Sequence, residues 1–211
     1  MYQVKEIFYT LQGEGFHTGR PSVFCRFSGC NLWTGREQDR DNAVCKFCDT
    51  DFIGTGGENG GKYKDCQELV GTILRVWGSE STIASPFVVL TGGEPLLQVD
   101  DSLIECLHDK SCEIAVETNG TILPPAGIDW ICCSPKFGAP LKLLQGNEMK
   151  LVYPQIGLDP KSVESLDFEH FYLQPMDGPI REKNCLDAIR YCKRNPKWKL
   201  SLQTHKILGI P

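Results

Sequence analysis

The chain has no long hydrophobic run. Its longest apolar stretches, such as FVVL at 87–90, fall far short of the roughly 20 residues that a membrane-spanning helix needs. It has no basic stripe either. The net charge is −5, and Lys193, Arg194, Lys197 and Lys199 are interrupted by Asn195, Pro196 and Trp198. A nucleic-acid partner, which requires a concentrated positive face, is therefore excluded, and so is a membrane one. MYQVKEIFYTLQGEG shows no basic segment followed by an apolar block, so no signal peptide is expected and the location is cytoplasmic. The glycine-rich GTGGENGG (54–61) lacks the GK-Ser/Thr ending of a phosphate loop and does not open a helix directly, so it reads as a flexible loop. Histidine is scarce, and His17, His108 and His170 are assigned to structure or surface.

Cysteine is abundant, with eleven residues. In a reducing compartment these are not expected to form disulfides, and the odd count leaves one unpaired in any case. Cys25, Cys66, Cys106, Cys112, Cys132, Cys133, Cys185 and Cys192 lie in apolar or periodic contexts and read as small buried hydrophobes. With 41% hydrophobic and 23% charged residues over 211 positions, the composition is that of an ordinary globular protein. One domain spanning 1–211 is expected.

Short β-rich runs alternate with helical patterns. VKEIFYTL (4–11), SVFCRFSG (22–29), PFVVL (86–90), EIAVETNG (113–120), IDWICCSPK (128–136), NEMKLVYP (147–154) and EHFYLQPMD (169–177) read as strands. CQELVGTILRVWG (66–78) has apolar residues at helical spacing. Further helices are expected near 98–109 and 181–194, and WKLSLQTHK (198–206) reads as a last strand. Parallel neighbours need long crossovers, so the alternation predicts an α/β fold. The length is too small for a complete eight-fold barrel. The expectation is an incomplete, reduced (β/α) barrel of about six mainly parallel strands with few helices. Ligands gather at the carboxyl ends of such strands. Here those ends read Cys30, TGGE, ETN, SPK and QPMD.

Three cysteines remain. Cys30, Cys45 and Cys48 are separated by fourteen residues and then by two, with no fourth cysteine or histidine inside the stretch. The close pair alone fits zinc, an iron–sulfur cluster or a redox dithiol. Structural zinc wants four ligands, and a dithiol would leave Cys30 unexplained. A cluster on three thiolates leaves one iron open, which is how a metal site takes up a small molecule.

Cys30, Cys45 and Cys48, with Phe47 before the last, resemble the cluster motif of the radical S-adenosylmethionine superfamily, although the usual first gap is three residues. TGGEP (91–95), ETNG (117–120), SPK (134–136) and QPMD (174–177) resemble its cofactor-contact segments and follow in the expected order. LQGEG (11–15), RFSGCNLW and CDTDF are similar to the 7-carboxy-7-deazaguanine synthase family, in which enlarged first gaps occur. The likeness runs from Leu11 to Pro211, with the insertion at 31–44.

This resemblance implies a 4Fe-4S cluster on Cys30, Cys45 and Cys48, with S-adenosylmethionine on its open iron. It implies reductive formation of a 5′-deoxyadenosyl radical and conversion of 6-carboxy-5,6,7,8-tetrahydropterin to 7-carboxy-7-deazaguanine and ammonia. Cofactor contacts fall to Phe47, Cys48, Asp49, Gly93, Glu94, Thr118, Asn119, Ser134, Pro135, Lys136, Gln174, Pro175, Met176 and Asp177. Substrate contacts fall to Leu11, Gln12, Gly13, Glu14, Arg26, Thr91, His205 and Pro211, with Mg²⁺ on Thr50. The residue chemistry is compatible. Arg26 offers a planar fork for a carboxylate, Glu14 accepts from amino and ring N–H donors, and a Thr hydroxyl suits a hard cation. Read in isolation, Arg26 could serve a surface ion pair, LQGEG an ordinary turn and His205 a structural role. A reductant such as a flavodoxin and a homodimer are implied by the resemblance alone. The competing readings are a glycyl-radical activase, which LQGEG and CDTDF oppose, and a non-catalytic metal module, which has no use for TGGEP, SPK and QPMD.

Overall fold

In the computed structural model, which describes residues 1–78 and 85–211, nine strands form one sheet rather than about six. They are β1 (Tyr2–Leu11), β2 (Pro21–Phe27), β3 (Gly61–Tyr63), β4 (Phe87–Gly92), β5 (Glu113–Thr118), β6 (Trp130–Cys133), β7 (Gln145–Tyr153), β8 (Asp167–Pro175) and β9 (Trp198–Leu200). The order is β3-β1-β2-β4-β5-β6-β7-β8-β9. β1 pairs antiparallel with β2 and β3, and every later pair is parallel. The outer strands β3 and β9 are edges and do not pair with each other. Of the two short edge strands, three residues each, β9 lies within the stretch read as a last strand, whereas β3 carries too little periodicity to be read in advance.

Helices follow their local signals. Asp65 caps α1 (Cys66–Trp77), its carboxylate accepting from Glu68 N at 3.0 Å. Asp100 caps α2 (Asp101–His108) in the same way through Leu103 N at 3.0 Å, and α3 spans Arg181–Arg194. The stretch expected as a final strand divides. Only Trp198–Leu200 pairs with β8, and Thr204–Leu208 turns into a short helix, α4. Thr204 binds back to the Gly13 carbonyl through its amide at 2.9 Å and its hydroxyl at 3.0 Å. That tertiary anchor overrides the strand-like pattern.

The sheet has two unlike faces, as the two-residue period of strands requires. Val88, Leu90, Ile114 and Val116 point outward into a core shared with α1 and α2. Met149, Leu151, Phe171 and Leu173 point outward into a second core with Ala188 of α3. The alternate residues Phe87, Val89 and Ala115 form a small apolar cluster with Phe24 and Trp130 on the other face. Above that base the inner face turns polar.

Two cysteine expectations need correction. Cys66 and Cys106 are joined in a disulfide between α1 and α2, because packing of the two helices brings their sulfurs together. Cys185 and Cys192, on α3, are only partly buried, whereas Cys25, Cys112, Cys132 and Cys133 are buried as expected. The glycine-rich loop also departs from its reading as flexible. It is pinned to β1 by Gly57 N to Lys5 O at 2.9 Å and Ile7 N to Glu58 O at 2.8 Å. Among the described residues, no helix is long and apolar enough to cross a membrane.

Candidate active site

The polar inner face and the carboxyl ends of the parallel strands enclose a cavity of about 400 Å³, a size that suits a small molecule. The end of β1 contributes Leu11, the loop after it Gln12, Gly13 and Glu14, and β2 contributes Arg26. The cysteine loop adds Cys30, Cys45, Phe47, Cys48, Asp49 and Thr50. Thr91 and Gly93 come from the end of β4, Thr118 and Asn119 from β5, and Ser134 and Lys136 from β6. Gln174, Pro175, Met176 and Asp177 close one side from β8, and His205 and Pro211 reach in from the last segment.

Two expected residues do not reach the cavity. Pro135 is absent from its wall, and Glu94 lies fully buried behind it. The Glu94 carboxylate accepts from Leu96 N at 3.0 Å, Thr118 Oγ1 at 2.8 Å and Asn119 N at 2.8 Å. Burial raises its pKa, partly offset by those donors. Those bonds brace the ends of β4 and β5. The Glu94 amide also donates to Gly29 O at 3.0 Å, which ties this brace to the strand end that carries Cys30.

The three thiols share one wall. Burial raises the pKa of Cys30, while Cys45 donates to Cys48 and so pulls Cys48 down. A thiol held toward its thiolate form is prepared for metal. The insertion contains a 3-10 turn, Glu37–Asn42, from which Arg40 reaches under the pair. Its Nη1 donates to Lys46 O at 2.9 Å and Cys48 O at 3.1 Å, and its guanidinium sits 4.0 Å from the centre of the Trp33 ring. Among the described residues, no three Cys, His, Asp or Glu side chains converge to hold a single metal ion. A four-iron cube offers three separate irons to three thiolates, so its ligands stand apart around a wall. Three thiols without a fourth ligand, one of them favouring the thiolate, fit that group.

The same cavity has a charged floor in which the expected Gln12 and Glu14 meet two residues that the sequence reading did not include, Glu117 and Lys150. Lys150 Nζ is 2.7 Å from Glu14 Oε2 and 2.5 Å from Glu117 Oε2. Gln12 Nε2 donates to Glu117 Oε1 at 3.3 Å. Burial would raise the pKa of Glu14, but Lys150 holds it below its usual value. The available signal was a lysine inside the apolar strand NEMKLVY, where a charge needs a buried partner. Elsewhere on the wall, Arg26 Nε donates to Glu6 Oε1 at 2.8 Å, leaving the ends of its fork free of protein hydrogen bonds among the described residues. Lys206 of α4 bridges Asp49 and Asp177, 2.6 Å from each, and so fastens α4 across the mouth.

Both the sequence and the fold are similar to those of known proteins. The chain is 61% identical over 209 residues to the 7-carboxy-7-deazaguanine synthase of Bradyrhizobium diazoefficiens, covering 99% of both chains. To the protein of that name from Burkholderia multivorans it is 59% identical over 210 residues, covering 100% of this chain and 99% of that one. The chain belongs to the 7-carboxy-7-deazaguanine synthase family. The crystal structure of QueE from Escherichia coli has the same fold at 24% identity, with a TM-score of 0.70 over 95% of this chain and 93% of that one. No protein-family model matches the chain.

Proposed function

We propose that the chain is a radical S-adenosylmethionine lyase that converts 6-carboxy-5,6,7,8-tetrahydropterin to 7-carboxy-7-deazaguanine, releasing ammonia. The observation that carries this reading is the convergence of Cys30, Cys45 and Cys48 with Gln12, Glu14 and Arg26 on one cavity, in a chain of this family. When bound, the cluster and S-adenosylmethionine supply reversible abstraction of a hydrogen atom from the substrate. The conversion is redox-neutral, since the pterin loses only the elements of ammonia.

Everything else falls to the chain. Gly93, Thr118, Asn119, Ser134 and Lys136, with Gln174, Met176 and Asp177, surround the volume next to the thiols and orient the cofactor. Lys136 Nζ is already fixed by Ser134 Oγ at 2.7 Å, which stiffens that strand end. Arg26 turns the free ends of its fork to the substrate carboxylate. Gln12 and Glu14 read the amino edge of the ring, and His205 of α4 and Pro211 beyond it close over it. Thr50, on the wall between Asp49 and Asp51, holds Mg²⁺ with the help of substrate oxygens. The flanking carboxylates are engaged elsewhere, Asp51 by Lys5 at 2.7 Å and Asp49 by Lys206 at 2.6 Å. A flavodoxin-like reductant and a homodimer belong to the same reading.

The test is anaerobic turnover of reconstituted, reduced protein with S-adenosylmethionine, Mg²⁺ and the carboxy-tetrahydropterin, read by mass spectrometry. Formation of 7-carboxy-7-deazaguanine with the cofactor surviving supports the assignment. Formation of 5′-deoxyadenosine with the pterin untouched refutes the substrate.

A further inference from the structure

Lys150 is an expensive residue that cluster chemistry does not require. On β7, Met149 and Leu151 face the α3 core while Glu148 and Lys150 face inward, so strand register alone decides that a lysine enters the interior. Its side chain is 4% exposed. A buried ion pair stabilises a fold poorly, and apolar residues of similar volume often serve stability better. The retained charge therefore points to a task beyond holding the strand.

That task can be read from its partners. Lys150 takes Oε2 of Glu14 and Oε2 of Glu117. Gln12 closes the chain from both sides, donating to Glu117 Oε1 at 3.3 Å and accepting from Glu14 N at 3.1 Å. Both carboxylates are thereby fixed in orientation, each with one oxygen spent on the ammonium. Without a cation between them, two carboxylates that are each only about one-fifth exposed repel one another, and one takes up a proton more readily. A protonated acid is a donor, and the edge of a 2-aminopyrimidinone ring also presents donors. The other titratable groups around Lys150 are Glu148 on β7, Cys132 on β6 and His205 on α4. Glu148 and Cys132 are disfavoured as anions by burial, and burial keeps His205 toward its neutral form. Lys150 is thus the group that balances the pair.

We propose that Lys150 is a positioning residue that keeps Glu14 and Glu117 as a fixed pair of anionic acceptors, which selects substrates carrying an amino group and an adjacent ring N–H. The choice of ring edge rests on the function proposed above, whereas the charge balance does not.

Two measurements separate these parts. Infrared difference spectra of Lys150→Met against the parent, without any ligand, are expected to show an added carbonyl band from a protonated buried carboxylic acid near neutral pH. Lys150→Arg, which keeps the charge, is expected to show none. Calorimetric titration with the carboxy-tetrahydropterin between pH 6 and 9 is expected to give a flat profile for the parent. For Lys150→Met it should show binding about thirty-fold weaker or more, recovering as pH rises and the acid ionises. An analogue lacking the 2-amino group should be rejected by the parent by a factor approaching 10⁴ and by Lys150→Met far less. A folded Lys150→Met protein with no added band, or with parental affinity at every pH, overturns the proposal. If that variant does not fold, Glu117→Gln decides. It should weaken pterin binding by a similar factor without pH dependence, and unchanged affinity overturns the proposal. Failure of the parent to bind the pterin sinks the functional reading, while absence of the infrared band sinks the role of Lys150 with or without that reading.

Discussion

Substituting Gly93 by alanine should separate cluster binding from folding. A Cβ built on Gly93 lies 2.3 Å from the Gly29 carbonyl oxygen and 2.7 Å from Cys30 Cβ, where ordinary contact begins at 3.4 Å. The shortfall of about 1 Å exceeds what rotamer adjustment absorbs, because the obstacles are backbone and a Cβ in a packed region. Relief must come from shifting the segment that carries Cys30, which also strains the Glu94 N to Gly29 O bond of 3.0 Å. Overpacking of this kind costs about 1–3 kcal/mol, which for a chain of this size corresponds to a drop of about 2–12 °C in Tm. The effect on metal is larger in proportion, since ligand distances tolerate only about ±0.2 Å. Gly93→Ala should therefore remain folded while losing most of its iron and sulfide on anaerobic reconstitution, read by metal analysis and the visible absorption of the cluster. Gly71→Ala is the control. It lies in α1 with no atom within 4 Å of the added Cβ and should gain about 0.5–1 kcal/mol from helix propensity, with iron unchanged. Parental iron content and Tm in Gly93→Ala would refute the reasoning.

Further outcomes follow from other contacts. Glu94→Gln turns an amide NH₂ toward one side of a carboxylate whose three partners all donate, and should lower stability by about 1–3 kcal/mol, measurable by denaturant unfolding; an unchanged stability would contradict the bracing role. Arg20 donates to Glu113 Oε1 at 2.7 Å and lowers the Glu113 pKa. Its contribution is then present above the ordinary glutamate value and lost as pH falls through the lowered one, so Glu113→Gln should flatten the acid limb of a Tm-against-pH curve and leave pH 7–9 unaltered in shape. Thr50→Ala should raise the Mg²⁺ concentration for half-maximal turnover roughly tenfold or more, with cluster content unchanged; an unaltered Mg²⁺ titration would remove Thr50 from that role.

Much of the site could be read along the chain because its parts are short segments at strand ends. TGGEP, ETNG, SPK and QPMD each follow an apolar run, and parallel strands deliver their carboxyl ends to one edge wherever the sheet folds. The reading failed where a residue's role is set by what lies across the fold. What the TGGEP motif could not show for Glu94 is that Thr118 and Asn119 donate to its carboxylate from the end of β5. The stretch at 198–206 looks like a strand until Thr204 meets Gly13, 191 positions away. Cys66 and Cys106 carry no local sign of pairing, because only the packing of α1 on α2 brings them together.

The sequence by itself determined the alternation of strands and helices, the three unpaired thiols of the cluster loop and the family to which they point. These rest on periodicity and on residue chemistry, which are local properties. Tertiary structure alone decided that Lys150 stands between Glu14 and Glu117. That contact joins residues 136 and 33 positions apart, and a buried charge is defined by neighbours that the chain order does not name.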